Sequence, residues 1–169
     1  MVPIDVSARE TAARDAQTAT LELARSDLGF SAAHFGVIDG RAERLHGHNY
    51  RVSLRVRGAV RKDGSVIDFS VLKQLLRAAC AELDERMLVP GAAPDVSVDE
   101  DGDAVTVRHQ DRRYVFPAAD VRLLPIVNTT CECLAAYLLD VLRSGLGHWP
   151  VRLEVRVEEI PGQGASAAE

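Results

Sequence analysis

The sequence predicts an α+β fold, with strands towards both ends of the chain and two amphipathic helices between them. Apolar and polar residues alternate over 50–57 and again over 151–160, which is the period of a strand with one buried face. Apolar residues at helical spacing follow Asp68 and Thr130. Alternating valines on either side of an EDGD turn predict a small β insertion between the two helices.

The first part of the chain changes character near residue 18. Residues 1–17 are Ala-rich and charged and predict a flexible extension, in which Ser7 and Glu10 have the spacing of a capping box for a short helix. The segment from Thr18 reads as extended chain and closes on His34. A stretch punctuated by glycines then predicts turns before the strand that contains 50–57.

Each helix has an identifiable beginning. Asp68 is the predicted N-cap of the first helix, because its side-chain oxygen can accept the free amide hydrogens of the first turn, and the helix is predicted over about 69–84. The second helix is predicted to begin near Thr130 and to stop at Gly145 and Gly147.

Length and composition indicate one domain. The chain has 169 residues, of which 47% are hydrophobic and 27% charged, so a single globular domain is predicted over 18–161, with the β insertion at 91–127 and a tail at 162–169. A net charge of −5 without a basic block argues against a nucleic-acid partner. The apolar runs are far shorter than a membrane span and the charged N-terminus does not resemble a signal peptide, so we expect a cytoplasmic protein.

Three histidines form the strongest chemical signal. His46 and His48 are two residues apart, so on a strand their imidazoles point the same way, and Gly47 between them lets another backbone approach closely. If the preceding extended segment pairs with this one as a hairpin, His34 can reach the same ion. Three imidazoles leave one coordination position open, as in catalytic zinc sites. The alternative is a histidine pair at a turn with ordinary hydrogen bonds.

A series of motifs places these histidines in a wider context. FSAAH, LHGHNY, VIDFSVLK, LDERML, TTCECLA and VEEIP occur in this order over residues 20–161. In that order they resemble the 6-pyruvoyl-tetrahydropterin synthase family, which includes the 6-carboxytetrahydropterin synthases. HGHNY with an upstream histidine is the specific element, and the others are persuasive together.

The resemblance implies a fold, a ligand and an assembly. It implies a four-stranded antiparallel sheet with two helices on one face, the unit of the tunnelling fold, and homohexamers made as dimers of trimers. Edge strands with unpaired backbone groups are a physical reason for such assembly. It also implies Zn²⁺ and a dihydropterin substrate, usually 7,8-dihydroneopterin triphosphate.

The resemblance also implies residues that bind the pterin ring. A carboxylate can accept two neighbouring ring hydrogens, and Glu159 fits this role because it shares a strand face with Val155 and Val157. Thr130 and Glu132 match the family's ring-binding threonine and glutamate. The alternatives are a solvated edge charge for Glu159 and, for Glu132, an acid favoured by the helix dipole.

Two positions depart from the family pattern. The family usually carries a cysteine, as nucleophile or base, four residues before the first histidine of HGH, where this chain has Ala42. The family also pairs an aspartate with a histidine as a proton relay; here Asp84 is retained but the histidine position is Glu85. The standard proton-transfer groups are therefore missing.

Glu43 is a candidate to replace the missing proton-transfer groups. Some similar proteins carry a glutamate in place of or beside the cysteine and cleave the side chain to leave 6-hydroxymethyl-dihydropterin. A carboxylate beside a zinc-bound hydroxyl can act as base for that step, so we predict Glu43 as the base and Asp84 with Glu85 as a second acid/base pair. The alternatives are a surface charge for Glu43 and a salt bridge with Arg86 or another basic neighbour for Glu85.

Three functions follow from this reading. The first is a zinc-dependent carbon–oxygen or carbon–carbon lyase of pterin metabolism, giving either a 6-hydroxymethyl or a 6-carboxy product. The second is a non-catalytic zinc- and pterin-binding relative that has lost the proton relay. The third is a structural assembly protein with an incidental metal site, which the ordered motifs disfavour.

Overall fold

The computed structural model describes residues 17–169, so the short helix predicted at Ser7 and Glu10 lies outside the described residues. Within them, strands and helices alternate in the order that the sequence predicts, with more strands than expected. The elements are β1 Thr18–Leu23, β2 Gly29–His34, β3 Val37–Ile38, β4 Arg41–Ala42, β5 His46–Ala59, α1 Phe69–Ala81, β6 Arg86–Pro90, β7 Ser97–Asp101, β8 Ala104–His109, β9 Arg112–Pro117, a 3₁₀ turn Ala118–Asp120, β10 Val121–Leu124, α2 Cys131–Leu146, β11 Val151–Ile160 and β12 Gln163–Ala168.

A curled, mixed sheet of seven strands organises the fold, in the order β10-β6-β2-β5-β11-β12 with β1 also paired to β5. β2 pairs with residues 46–51 of β5 and β1 with residues 54–59, so β1 and β2 together flank β5 like one interrupted strand. Together with β11 and β12, these three strands form an antiparallel region, which agrees with the antiparallel sheet that was expected.

The expected four-stranded antiparallel sheet is nevertheless wrong in detail, because β6 and β10 extend the sheet in parallel beyond β2. The residues of β6 after Arg86 are all buried. Such a continuous apolar run is typical of a strand covered on both faces. Without alternation, the run gave no strand signal in the sequence.

Both helices pack on one face of this sheet, as expected. Tyr50, Val52, Leu54 and Val56 alternate along β5 and are at most 3% exposed. They belong to one core cluster with leucines of both helices. The buried helix residues in that cluster include Leu72, Leu76, Leu134, Leu138 and Leu142.

The helix ends follow the predicted signals, with two differences. Asp68 is the N-cap of α1 and accepts a hydrogen bond from the Ser70 N–H at 2.7 Å. α1 ends at Ala81, before the predicted 84, because the N–H groups of residues 83 and 84 both turn back to the Cys80 carbonyl. Gly147 caps α2 with φ 58°, whereas Gly145 lies inside the helix, where a Cβ would sit 2.9 Å from the Leu75 side chain.

The insertion at 91–127 contains the predicted small β structure. β7, β8 and β9 form a three-stranded antiparallel meander. It builds a second apolar cluster around Phe35, Met87, Val105 and Val107. Ala33 packs against this second cluster while its neighbour Ala32 belongs to the main core, so the insertion covers the face of β2 opposite the helices.

The predicted tail at 162–169 is wrong, because Gln163–Ala168 form β12 and pair with β11. Gly164 lies so close to β11 that a Cβ there would be 2.1 Å from the Val157 carbonyl oxygen. Small residues in β12 allow this close contact but give no alternating apolar signal. Along residues 17–169, none of the helices has the length and apolar character needed to cross a membrane.

Candidate metal centre and active site

The register between β2 and β5 brings the three predicted histidines together. His34 lies directly opposite His46, and His48 follows two residues further along the same face of β5. Their ligand atoms lie within 4.8 Å of one another. Gly47 permits this pairing, since a Cβ there would already be 3.0 Å from the Ala32 carbonyl oxygen.

Hydrogen bonds fix which ring nitrogen two of the histidines present. His34 Nδ1 lies 3.1 Å from the Thr129 carbonyl and 3.2 Å from the Thr129 hydroxyl, whose own hydrogen is donated to the Phe35 carbonyl. Nδ1 of His34 therefore donates, and its Nε2 carries the lone pair. His46 Nδ1 donates to the Arg44 carbonyl at 2.7 Å, with the same consequence.

These residues fit a metal ion. His34 is 3% exposed, and its Nε2 is buried without a hydrogen-bond partner among the described residues. Burial, and then the neighbouring His46 and His48, lower the pKa of His34 to about 4, which keeps its imidazole neutral. An orphaned lone pair facing two further imidazoles is the donor set of a three-histidine metal site with an open position.

A cavity of about 300 Å³ opens over the histidines. Four other predicted site residues line it: Glu43, Thr130, Glu132 and Glu159. They arrive from three parts of the chain, namely the loop after β2, the start of α2 and the end of β11. The structure thus gathers the predicted histidines, ring-binding residues and Glu43 around one space.

Asp84 and Glu85 do not line this cavity. Both bracket Ser31: Asp84 Oδ1 accepts from the Ser31 N–H at 2.7 Å, and the Glu85 N–H donates to the Ser31 carbonyl at 2.7 Å. Glu85 lines a second cavity together with Ala33 and Asn49, and His48 is the residue that this cavity shares with the histidine cavity. Among residues 17–169, Glu85 forms no salt bridge with its neighbour Arg86.

Glu43 is held at the histidine cavity by Gly36. The Glu43 N–H donates to the Gly36 carbonyl at 2.8 Å, and the Gly36 N–H donates to Glu43 Oε2 at 3.1 Å. Ala42, at the position of the family's cysteine, instead pairs with Val37 and packs against the second apolar cluster. Of these two neighbours, the carboxylate faces the histidines and the methyl group faces the insertion.

Replacing Gly36 by alanine is expected to displace the Glu43 carboxylate, because the added Cβ would lie 2.6 Å from Oε2. On the prediction that Glu43 is the base, we expect turnover to fall roughly tenfold while the metal content stays unchanged, since misplacing a reacting group is costly. Steady-state kinetics and metal analysis check this. Gly64→Ala is the comparison, because nothing lies within 4 Å of a Cβ at that glycine, which lies between β5 and α1 and outside the cavity. Its positive φ of 82° makes the variant a control for backbone strain. Equal losses in both variants would contradict the argument.

Glu159 is oriented by two neighbours that the sequence did not single out for this purpose. Gln163 in β12 donates to Oε1, and the Cys131 thiol lies 3.9 Å from Oε2. Burial, followed by the nearby Glu159, raises the pKa of Cys131 to about 11, so the thiol stays protonated and acts as a donor. Glu158, the adjacent residue, bonds Arg156 instead.

The start of α2 contributes Thr130 and Glu132 to the cavity. Thr130 is the N-cap, and its hydroxyl accepts from the Cys133 N–H. Glu132 follows in the first turn, where a backbone N–H and then the Thr130 hydroxyl lower its pKa. A carboxylate and a polar cap at a helix start can bind the hydrogen-bonding edge of a heterocycle.

Sequence reasoning missed the residues that support this site. Asn128 bonds both the N–H and the carbonyl of Val37 through its amide, and Thr129 positions His34. Gln163 was expected in a tail. The sequence did contain a signal for Thr129, because two threonines precede α2 and one of them suffices as the N-cap. The other threonine, Thr129, is 0% exposed.

Three convergent histidines on a sheet, beside a cavity lined with carboxylates, are the arrangement typical of enzymes whose metal ion keeps one open coordination position. The chain belongs to the 6-pyruvoyl tetrahydropterin synthase family, whose family profile matches residues 24–169. The family consists of lyases of pterin metabolism.

Individual relatives agree with this assignment. A Methanocaldococcus jannaschii protein provisionally named 6-carboxy-5,6,7,8-tetrahydropterin synthase is 32% identical over 143 residues, covering 82% of this chain and 88% of its own. The crystal structure of 6-pyruvoyl tetrahydropterin synthase from Plasmodium vivax is 35% identical with a TM-score of 0.86, covering 90% of this chain and 98% of its own. Two further structures of that enzyme, each 34% identical with the same coverage and TM-score, are described as catalytic-residue mutants, in which a glutamate is replaced by cysteine or alanine.

Proposed function

We propose that this chain is a zinc-dependent lyase that cleaves the side chain of 7,8-dihydroneopterin triphosphate, or of a related dihydropterin, and gives 6-hydroxymethyl-dihydropterin. The observation that carries the proposal is the position of Glu43, which shares one cavity with His34, His46 and His48 while Ala42 packs away from it. The Plasmodium vivax enzyme, in which a glutamate is described as a catalytic residue, supports a catalytic role for Glu43.

His34, His46 and His48 would hold the zinc ion. When bound, zinc supplies electrostatic stabilisation for negative charge that develops on a side-chain oxygen of the substrate. Glu159, with both oxygens oriented by Gln163 and Cys131, would accept two hydrogens from the pterin ring. Thr130 and Glu132 would complete ring binding at the start of α2.

Glu43 would transfer the proton in this reaction. One of its oxygens is held by the Gly36 N–H, which leaves the other free to face the substrate. In a retro-aldol cleavage, Glu43 would take the proton of the hydroxyl on the carbon that leaves, and that carbon becomes the carbonyl carbon of an aldehyde. The electron pair of the broken carbon–carbon bond stays with the carbon attached to the ring, which then takes the proton back from Glu43. The role of Asp84 and Glu85 as a second acid/base pair stays a prediction. Neither residue lines this cavity.

The proposed assembly is the homohexamer made from two trimers, in the cytoplasm. Within the described residues, β1, β10 and β12 each have one partner strand in the large sheet. Their free backbone groups are the physical reason for pairing with further copies. Mass measurement of the native protein checks the number of chains.

The second candidate is a non-catalytic zinc- and pterin-binding relative. The specific observation in its favour is that Ala42 and Glu85 occupy the positions where the family carries its cysteine and relay histidine. Neither position offers a thiol or an imidazole. On this alternative, the histidines and Glu159 would bind ligand without converting it.

A product assay separates these candidates. The zinc-loaded protein is incubated with 7,8-dihydroneopterin triphosphate, and the pterins are identified by mass spectrometry. We expect 6-hydroxymethyl-dihydropterin. A 6-carboxy or 6-pyruvoyl product would contradict the proposed cleavage, and substrate recovered bound but unchanged would favour the non-catalytic relative. The protein stripped of metal by a chelator and reloaded with zinc is the control.

A further inference from the structure

We propose that the insertion positions the Glu43 carboxylate, and that Arg112 is the positioning residue through which it does so. The inference rests on the proposed role of Glu43 as the base. Its structural basis is a row of contacts between β9 and the loop that joins β2 to β5, which includes β3 and β4. We call residues 35–45 the base loop.

One face of β9 is directed at the base loop. Arg112, Tyr114 and Phe116 alternate as half-buried residues, whereas Arg113 and Val115 between them are exposed. The alternation is the normal consequence of a strand with one face against protein. Here the protein that covers this face includes the base loop, because Tyr114 and Phe116 pack in the second apolar cluster with Val37 and Ala42.

Three contacts tie the base loop to this face. The Tyr114 ring stacks on Phe35, directly after His34, with 5.6 Å between ring centroids. Gln110, in the turn before β9, donates to the Gly40 carbonyl at 2.9 Å. The Arg112 guanidinium donates to the carbonyl of Glu43 itself. The contacts therefore reach the beginning, the tip and the end of the loop.

The base loop has little internal structure to hold Glu43 without these contacts. β3 and β4 pair over two residues each, around a turn in which Asp39 and Gly40 have positive φ. Asn128 anchors the start of the loop at Val37. Near its end, Gly36 and Arg112 are the partners that Glu43 has by hydrogen bond among the described residues. Arg112 therefore constrains the position of the base without lining the cavity.

The test compares Arg112→Ala with Arg113→Ala, its exposed neighbour on the other face of the same strand. We expect Arg112→Ala to lower kcat by about 10- to 100-fold, because misplacement of a reacting group has costs of this size. KM and the zinc content should stay within about twofold of the parent, since neither the ring site nor the histidines involve Arg112. Arg112→Lys, which retains a donor, should recover part of the loss and guards against a folding defect.

Two further measurements separate positioning from general damage. In a Glu43→Gln background, Arg112→Ala should lower the residual rate no further, since it acts through Glu43. Amide hydrogen exchange over 36–45 should accelerate in Arg112→Ala and not in Arg113→Ala. Equal kcat in the two arginine variants, an undiminished effect in the Glu43→Gln background, or unchanged exchange would each overturn the inference. If the parent converts no dihydropterin, the proposed function fails, while the exchange comparison still decides whether Arg112 holds the loop.

Discussion

Replacing Glu43 by glutamine is expected to lower turnover of the dihydropterin by at least 100-fold, the contribution typical of a positioned general base. The amide has nearly the shape of the carboxylate, and its oxygen can still accept the Gly36 N–H. It cannot take up a proton. We therefore expect kcat to fall while the zinc content and the binding of the pterin stay unchanged, as measured by steady-state kinetics, metal analysis and fluorescence titration.

The matched control is Glu158→Gln, which removes a carboxylate near the site whose partner is Arg156. This variant should retain parental kcat. Full activity of Glu43→Gln would remove Glu43 from the mechanism. A raised KM with unchanged kcat would assign Glu43 to substrate binding instead.

Replacing His46 by alanine is expected to remove the metal and the activity together. Catalytic zinc sites usually need three protein ligands, and loss of even a supporting hydrogen bond costs 10- to 100-fold in affinity or activity. Loss of a ligand should therefore cost more than about 100-fold. His46 lies nearer the surface than the buried His34, so its truncation tests the metal site with less disturbance of the core.

Metal analysis after dialysis and a rate assay in added zinc check this expectation. His148→Ala is the control, because His148 is exposed beyond the end of α2 and outside the cavity. It should retain the metal and the rate of the parent. If His46→Ala kept one zinc per chain, the three histidines would not be the site that holds it.

Local patterns predicted the elements that position the site. Alternation along β5 gave its buried face, and Asp68 and Thr130 gave the beginnings of both helices. Because the side-chain period of a strand is two residues, the HGH spacing already placed His46 and His48 on one side. His34 needed the further assumption of a hairpin, which the register of β2 and β5 confirms.

Features that depend on distant contacts were not predictable in this way. Strand β6 is buried along its length after Arg86, which removes alternation from its sequence, and β10, its parallel partner, has only four residues. The placement of Glu85 depends on its turn, with φ 54°, at the end of α1. The role of Gln163 depends on β12, which small residues build without any apolar period.

The two hydrogen bonds from the insertion to the base loop both end on main-chain carbonyls, those of Gly40 and Glu43. A carbonyl is present at every position of a chain, whatever side chain that position carries. Substitutions at these positions can therefore exchange one side chain for another without removing the acceptors that the insertion uses. A variant that carries another side chain at position 43 should therefore keep both of these hydrogen bonds.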